Sequence, residues 1–229
     1  MADTTKQGID NMADFLFSLA DTQAISAMDS EFLNNKGDKL YREQNYGAAL
    51  EYFRIACAMG NVKATTNIGT CYLYGHGTEA NLSLAFSYFK IAVRRQDAEA
   101  AYKLGDIFFS DKWGLQDKEM STYYYRLAVT FVLGEPLEFN TDLTWCSELQ
   151  KYPDLCFAMG RELSKTGSLL TDVETSYQFL KHAELGYEKE MNNGKARYEA
   201  AYEEVLNFMD DAQYDEIRER FDTEFLDEY

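Results

Sequence analysis

The sequence predicts an all-α fold, a solenoid of antiparallel helix pairs with capping helices at both ends. Three observations predict it. A triplet of a small residue, an aromatic four on and an alanine three further recurs as Ala49/Phe53/Ala56, Ala85/Phe89/Ala92 and Ser121/Tyr125/Ala128, each copy 36 residues from the last. A degenerate copy, Ser176/Leu180/Ala183, follows 55 residues on, with Leu for the aromatic. Asn45, Asn81, Asp117 and Asp172 keep the same phase, four residues before the small residue. An Asn or Asp there suits a helix N-cap, because its oxygen accepts from an orphan N–H. Finally, Ile68-Gly69, Leu104-Gly105 and Met159-Gly160 place a glycine 23 residues before each alanine.

Each marker has a packing reason. Small residues at the triplet ends let two helices approach closely, and the ring fills the layer between them. A glycine inside a helix costs about 1 kcal/mol against alanine, so close approach must justify it. One hairpin cannot bury its apolar face, so neighbouring pairs must stack.

In chain order, residues 1–33 read as acidic capping helices, with apolar positions at Met12, Phe15, Leu16 and Leu19, then Ile25, Met28, Phe32 and Leu33. The repeat solenoid runs over 34–186, with copies near 34–60, 61–96, 97–134 and 153–186. Residues 135–152 interrupt the period and read as a short helical insertion from Thr141, with Leu143, Trp145, Cys146 and Leu149 apolar. An extra packing helix and a partner-binding lug are both open for it; exposing Trp145 would be costly, which favours packing. Residues 187–229 read as acidic capping helices, one over 195–209 with Tyr198, Ala201, Tyr202, Val205 and Phe208 in a stripe, one over 213–227 with Tyr214, Ile217, Phe221 and Phe225.

The second copy, Ala64-x3-Ile68-Gly69-x2-Tyr72-x2-Gly75-x-Gly77-x3-Asn81-x3-Ala85-x2-Tyr88-Phe89-x2-Ala92, resembles the Sel1-like repeat, a branch of the tetratricopeptide superfamily. The first copy, from Gly37 through Tyr41, Tyr46, Ala49 and Phe53 to Ala56, is more similar to a plain tetratricopeptide repeat, with a shorter turn. The resemblance implies a right-handed solenoid that binds a protein or peptide on the concave face formed by the first helix of each pair. Counted from the helix glycines, the expected lining is Asn34, Asn35 and Asp38 from the first copy. Lys63, Thr66, Asn67 and Thr70 follow from the second. The third supplies Glu99, Tyr102, Lys103 and Asp106, and the fourth Phe157, Arg161 and Lys165. Some tetratricopeptide domains clamp a terminal carboxylate there; Asn67 and Lys103 are compatible, whereas Asp38 and Glu99 oppose such a ligand.

Net charge is −17, concentrated at the ends. Residues 1–35 hold six acids against Lys6, residues 199–229 twelve against Arg218 and Arg220, and the middle is close to neutral. This disfavours nucleic acid and an anionic membrane as partners. No run of apolar residues is long enough to span a bilayer, and the acidic N-terminus lacks the features of a secretory signal. Cys57, Cys71, Cys146 and Cys156 lack metal or redox spacing and read as reduced core thiols of a cytoplasmic protein. Gly75-x-Gly77 reads as a turn, His76 as a turn residue and His182 as a surface residue. No catalytic motif, metal set or cofactor signature is present, so a non-enzymatic scaffold or adaptor is expected. Two rival readings stand beside it: an acidic regulator or decoy that binds a basic protein through its charged ends, and a homo-oligomer assembled through the C-terminal amphipathic helix.

Overall fold

The computed structural model describes residues 29–138, 141–143, 146–164 and 171–226. Among them every regular element is helical. The α-helices are α1 (Ser30–Arg42), α2 (Tyr46–Ala58), α3 (Val62–Tyr74), α4 (Leu82–Val93), α5 (Ala98–Phe109), α6 (Lys118–Leu133), α7 (Pro153–Leu163), α8 (Val173–Asn192), α9 (Glu199–Met209) and α10 (Asp215–Leu226). They form an α-solenoid of helix pairs, taken in order as α1/α2, α3/α4, α5/α6 and α7/α8. The N-terminal capping segment lies outside the described residues up to residue 28, and α1 starts before the expected repeat boundary at 34. The chain divides into two compact units, residues 1–88 and 89–229.

All four triplets are buried throughout, including Ser121 and Ser176. Three helix glycines, Gly37, Gly105 and Gly160, pack as the close-approach argument requires. A methyl group on Gly37 would stand 2.5 Å from the Phe53 ring, and one on Gly160 would stand 2.6 Å from Leu180 Cδ2. One on Gly105 would strike the Tyr125 ring.

A single recurring bond closes three of the pairs. The backbone N–H of the residue capping the second helix donates to a carbonyl nine residues earlier. Asn81 donates to Tyr72 at 2.8 Å, Asp117 to Phe108 at 2.9 Å and Asp172 to Leu163 at 2.9 Å. Their side chains also cap as expected, accepting from Leu84, Met120 and Thr175 amides. Asn45 departs from this pattern and makes no side-chain cap bond. The shorter first turn passes through left-handed Gln44, φ 61°, and Asn45 N–H reaches back only to Leu40. The first helices carry caps of their own: Asn61 accepts from Ala64 N–H and Asp97 from Ala100 N–H.

In the first unit the core gathers Leu33, Leu50, Phe53, Ile68 and Cys71. Gly75 and Gly77 are left-handed, φ 74° and 75°; a side chain at Gly77 would also run into the Tyr46 carbonyl. His76 between them stacks on Tyr46, centroids 4.1 Å apart, and is hydrogen-bonded to the Tyr41 hydroxyl at 2.6 Å.

In the second unit the insertion packs into the core through Leu137, Leu143 and Leu149. The α-helix expected from Thr141 is replaced, among the described residues of 135–152, by one 3-10 turn at Leu149–Lys151. The reason is tertiary. Leu143 N–H donates to Gln178 Oε1 at 2.7 Å, and Leu143 C=O accepts from His182 Nε2 at 2.7 Å. Both backbone groups are taken by α8. Trp145 and Lys165 lie outside the described residues. The same contacts correct the reading of His182, which is 3% exposed rather than on the surface.

The C-terminal segment caps α7 and α8 by burying Val205, Met209, Tyr214 and Ile217. The Tyr214 hydroxyl meets Ser176 Oγ at 2.7 Å, Ser176 Oγ donates to the Gly160 carbonyl at 2.6 Å, and Arg220 pairs with Glu174.

Candidate functional site

On α1 and α3 the structure brings three of the expected polar residues together and ties them to one another. Asn67 Nδ2 donates to Asn34 Oδ1 at 3.0 Å and to Asp38 Oδ1 at 2.9 Å. Asn34 Nδ2 donates to Asp38 Oδ2 at 3.2 Å. Burial raises the Asp38 carboxyl above its ordinary range, against the opposing pull of Arg42, the Asn67 bond and Lys63. Asn34 and Thr66 are buried, Asn35 and Lys63 exposed. Thr70 returns its hydroxyl to the Thr66 carbonyl. This cluster fastens the first helices of two successive pairs.

On α5 and α7 two environments adjoin. In the first, the Tyr125 hydroxyl donates to Asp106 Oδ1 at 2.8 Å and the Tyr187 hydroxyl to Asp154 Oδ1 at 2.7 Å. Tyr102 stacks on Tyr125, and Lys103 Nζ lies 4.9 Å above the Tyr102 ring. Burial raises the Asp106 carboxyl, and the Lys103 charge and the two tyrosine donors only partly counter it. Burial likewise pushes the Tyr102 and Tyr125 hydroxyls up, so all three phenols here stay protonated donors. Glu99 and Tyr102 border a small cavity of about 200 Å³ beside Asp154.

The second environment is an open cleft of about 830 Å³ between the ends of α5 and α7. Phe108, Phe109 and Phe208 supply its aromatic surface; Arg161, Lys118, Asp111 and Glu162 supply charges of both signs. The Arg161 guanidinium lies 4.8 Å from the Phe109 ring and 4.8 Å from the Phe157 ring. Phe208 of α9 meets Phe157 edge-on at 6.0 Å. Glu162 is buried and accepts from the Thr122 hydroxyl at 3.0 Å.

Of the expected lining residues, Arg161 borders this cleft, and Phe157 packs against its guanidinium and against Phe208. Tyr102 and Lys103 belong to the tyrosine–aspartate cluster, and Asn34 and Asn67 to the α1–α3 cluster. Sequence reasoning does not find Phe108, Phe109, Lys118 or Phe208. The first three flank the degenerate third turn, and Phe208 comes from the capping segment; only its place in the apolar stripe marks it. Among the described residues no three His, Cys, Asp or Glu gather to hold a metal ion. Among them, too, no helix is long and apolar enough to cross a membrane.

The model of the Sel1 repeat family matches residues 33–61, 62–97 and 98–130. HcpC of Helicobacter pylori (strain J99), named as a candidate beta-lactamase, is 36% identical over 58 residues, 25% of this chain and 20% of that protein. The chain therefore spans about a fifth of the length of this curated relative. A Sel1 repeat protein from Oxalobacter formigenes superposes with a TM-score of 0.53 at 16% identity, covering 86% of this chain and 76% of that one. The c5321 protective antigen of uropathogenic Escherichia coli, described as displaying an SLR fold, gives 0.49 at 17% identity over 69% of this chain and 32% of its own. The fourth pair lies beyond the matched residues but keeps the glycine contact, the cap and the closing bond of the others. Residues 33–130 match the Sel1 repeat three times in succession, and the described helices share the α-solenoid fold of the Sel1 repeat protein from Oxalobacter formigenes.

Proposed function

We propose that this protein is a non-catalytic, cytoplasmic scaffold that binds a peptide segment of a partner protein on the face of its first helices. The observation that carries this reading is the cleft of about 830 Å³ bordered by Phe108, Phe109, Arg161 and Phe208. It is large enough for several side chains and mixes aromatic surface with a few placed charges, the usual make-up of a recognition site. Sel1 repeats are a protein-interaction architecture, and solenoids present such faces. The perturbed carboxylates support a non-catalytic role, because Asp38 and Asp106 already hold side-chain donors within packed clusters.

The test is selection of short peptides from a displayed random library on the full chain, then titration calorimetry. Selected peptides bind the wild type and lose about tenfold or more in affinity to Phe109→Ala, since truncating a central aromatic anchor costs about 2 kcal/mol. Phe109 is 40% exposed, so the substitution spares the core. Failure to select any peptide, or equal affinity for Phe109→Ala, refutes the site.

A further inference from the structure

Among the described residues that line the cleft, Arg161 carries a buried donor without a hydrogen-bond partner. Carboxylates outnumber cations 39 to 22 in this chain. Yet among the described residues Arg161 forms no ion pair, although Asp111 borders the same cleft and Glu162 is its neighbour in sequence. Its Nε is buried and without a hydrogen-bond partner. Rings from two helices, Phe109 and Phe157, hold the guanidinium. Nε is enclosed by the protein, which leaves the two terminal nitrogens of the planar guanidinium to match a carboxylate with two parallel bonds.

Resting on the scaffold reading above, we propose that Arg161 receives a side-chain carboxylate, an Asp or Glu of the bound peptide, with an aromatic or aliphatic neighbour of that residue seated against Phe108 and Phe208. Arg161 supplies the charge complement. The rings around it remove water and strengthen the pair, while apolar surface on either side accepts the flanking residue. A phosphorylated side chain is the poorer occupant. Asp111 and Glu162 balance Arg161 and Lys118 around this space, so a dianion finds no net attraction to offset its greater desolvation.

The experiment uses the full chain and peptides from the selection above, resynthesised with acetylated and amidated ends so that only side chains carry charge. Selected peptides contain Asp or Glu beside an aromatic or aliphatic residue. Replacing that Glu by Gln weakens binding to the wild type about tenfold. Arg161→Met binds the Glu and Gln peptides equally, and Arg161→Lys restores part of the preference. Because the Glu-to-Gln comparison is also made on unaltered protein, a misfolded variant does not obscure the result. Equal binding of both peptides by wild type overturns the proposal, as does a preference that survives in Arg161→Met. Tighter binding of a phosphoserine version than of the Glu peptide overturns it in favour of a phosphopeptide. If no peptide is selected at all, the scaffold reading falls first and this proposal with it.

Discussion

Gly37→Ala separates tertiary packing from helix propensity by the sign of its effect. Gly37 lies inside α1 and is buried. Propensity alone makes the alanine variant more stable by about 1 kcal/mol. The added methyl, however, would stand 2.5 Å and 2.7 Å from two carbons of the Phe53 ring, which is 1% exposed. That ring is enclosed by the first unit's core and has little room to retreat. Overpacking of this kind costs about 1–3 kcal/mol, so the net expectation after the propensity gain is a loss of up to about 2 kcal/mol. Amide exchange of the α1 and α2 backbone reads the opening free energy of this unit. Gly47→Ala is the internal control: it sits in α2 with nothing within 4 Å of the new carbon, and gains up to about 1 kcal/mol. Adding Phe53→Leu to Gly37→Ala opens space and makes the pair less destabilising than the sum of the singles. A Gly37→Ala protein more stable than wild type refutes the packing account of the repeat glycines.

Burial lowers the His182 pKa below its ordinary 6.5, with the Leu143 carbonyl bond opposing. The contribution of neutral His182 is therefore complete above pH 6.5 and is lost as pH falls through the folded value, because the unfolded chain then binds the extra proton. Asp38 and Asp106 run the other way, their raised carboxyls becoming less costly as pH falls. Urea midpoints of wild type and His182→Gln across this range isolate the histidine: the wild-type advantage shrinks on acidification, and a constant difference contradicts the assignment. The caps supply a further contrast. Asp172→Ala removes bonds to both the Thr175 amide and its hydroxyl and costs about 1–2 kcal/mol. Asn45→Ala, with no cap bond to lose, stays within about 0.5 kcal/mol by the same denaturation assay; equal losses for the two would remove the distinction.

Local chemistry made most of the repeat fold readable. The triplet spacing, the glycines and three of the four expected caps follow from contacts inside one helix pair, and such contacts repeat with the sequence. What escaped depends on segments that meet from afar. Asn45 fails as a cap because the shorter turn enters through left-handed Gln44. His182 looks like a surface residue on its own helix but is buried, its ring bonded to the Leu143 carbonyl of the insertion. Asn34 and Asn67 carry the right polarity for a binding face, yet each finds the other across two pairs. Of the cleft, Arg161 was legible from its register on α7. Phe208 was not, since its place depends on how α9 closes the last pair.

The closing bond between the capping residue and the carbonyl nine residues earlier has a consequence for how such chains can change. Because the ends of each turn are clamped, the residues between them are released from holding the pair together. Phe108 and Asp117 keep the bond while the intervening turn forms its own 3-10 segment at Asp111–Trp113, and Asn81 keeps it over a Gly-x-Gly turn. Doubling the length of a closed loop adds only about 0.6 kcal/mol of closure cost. The third turn is thus a point where length and composition can drift, or where a foreign segment can be grafted, without breaking the closing bond, whereas the second is tied to Tyr41 and Tyr46 through His76 and Gly77. The turn after Phe109 lies beside the cleft, so variation there would retune what the cleft admits while the helices behind it stay unchanged.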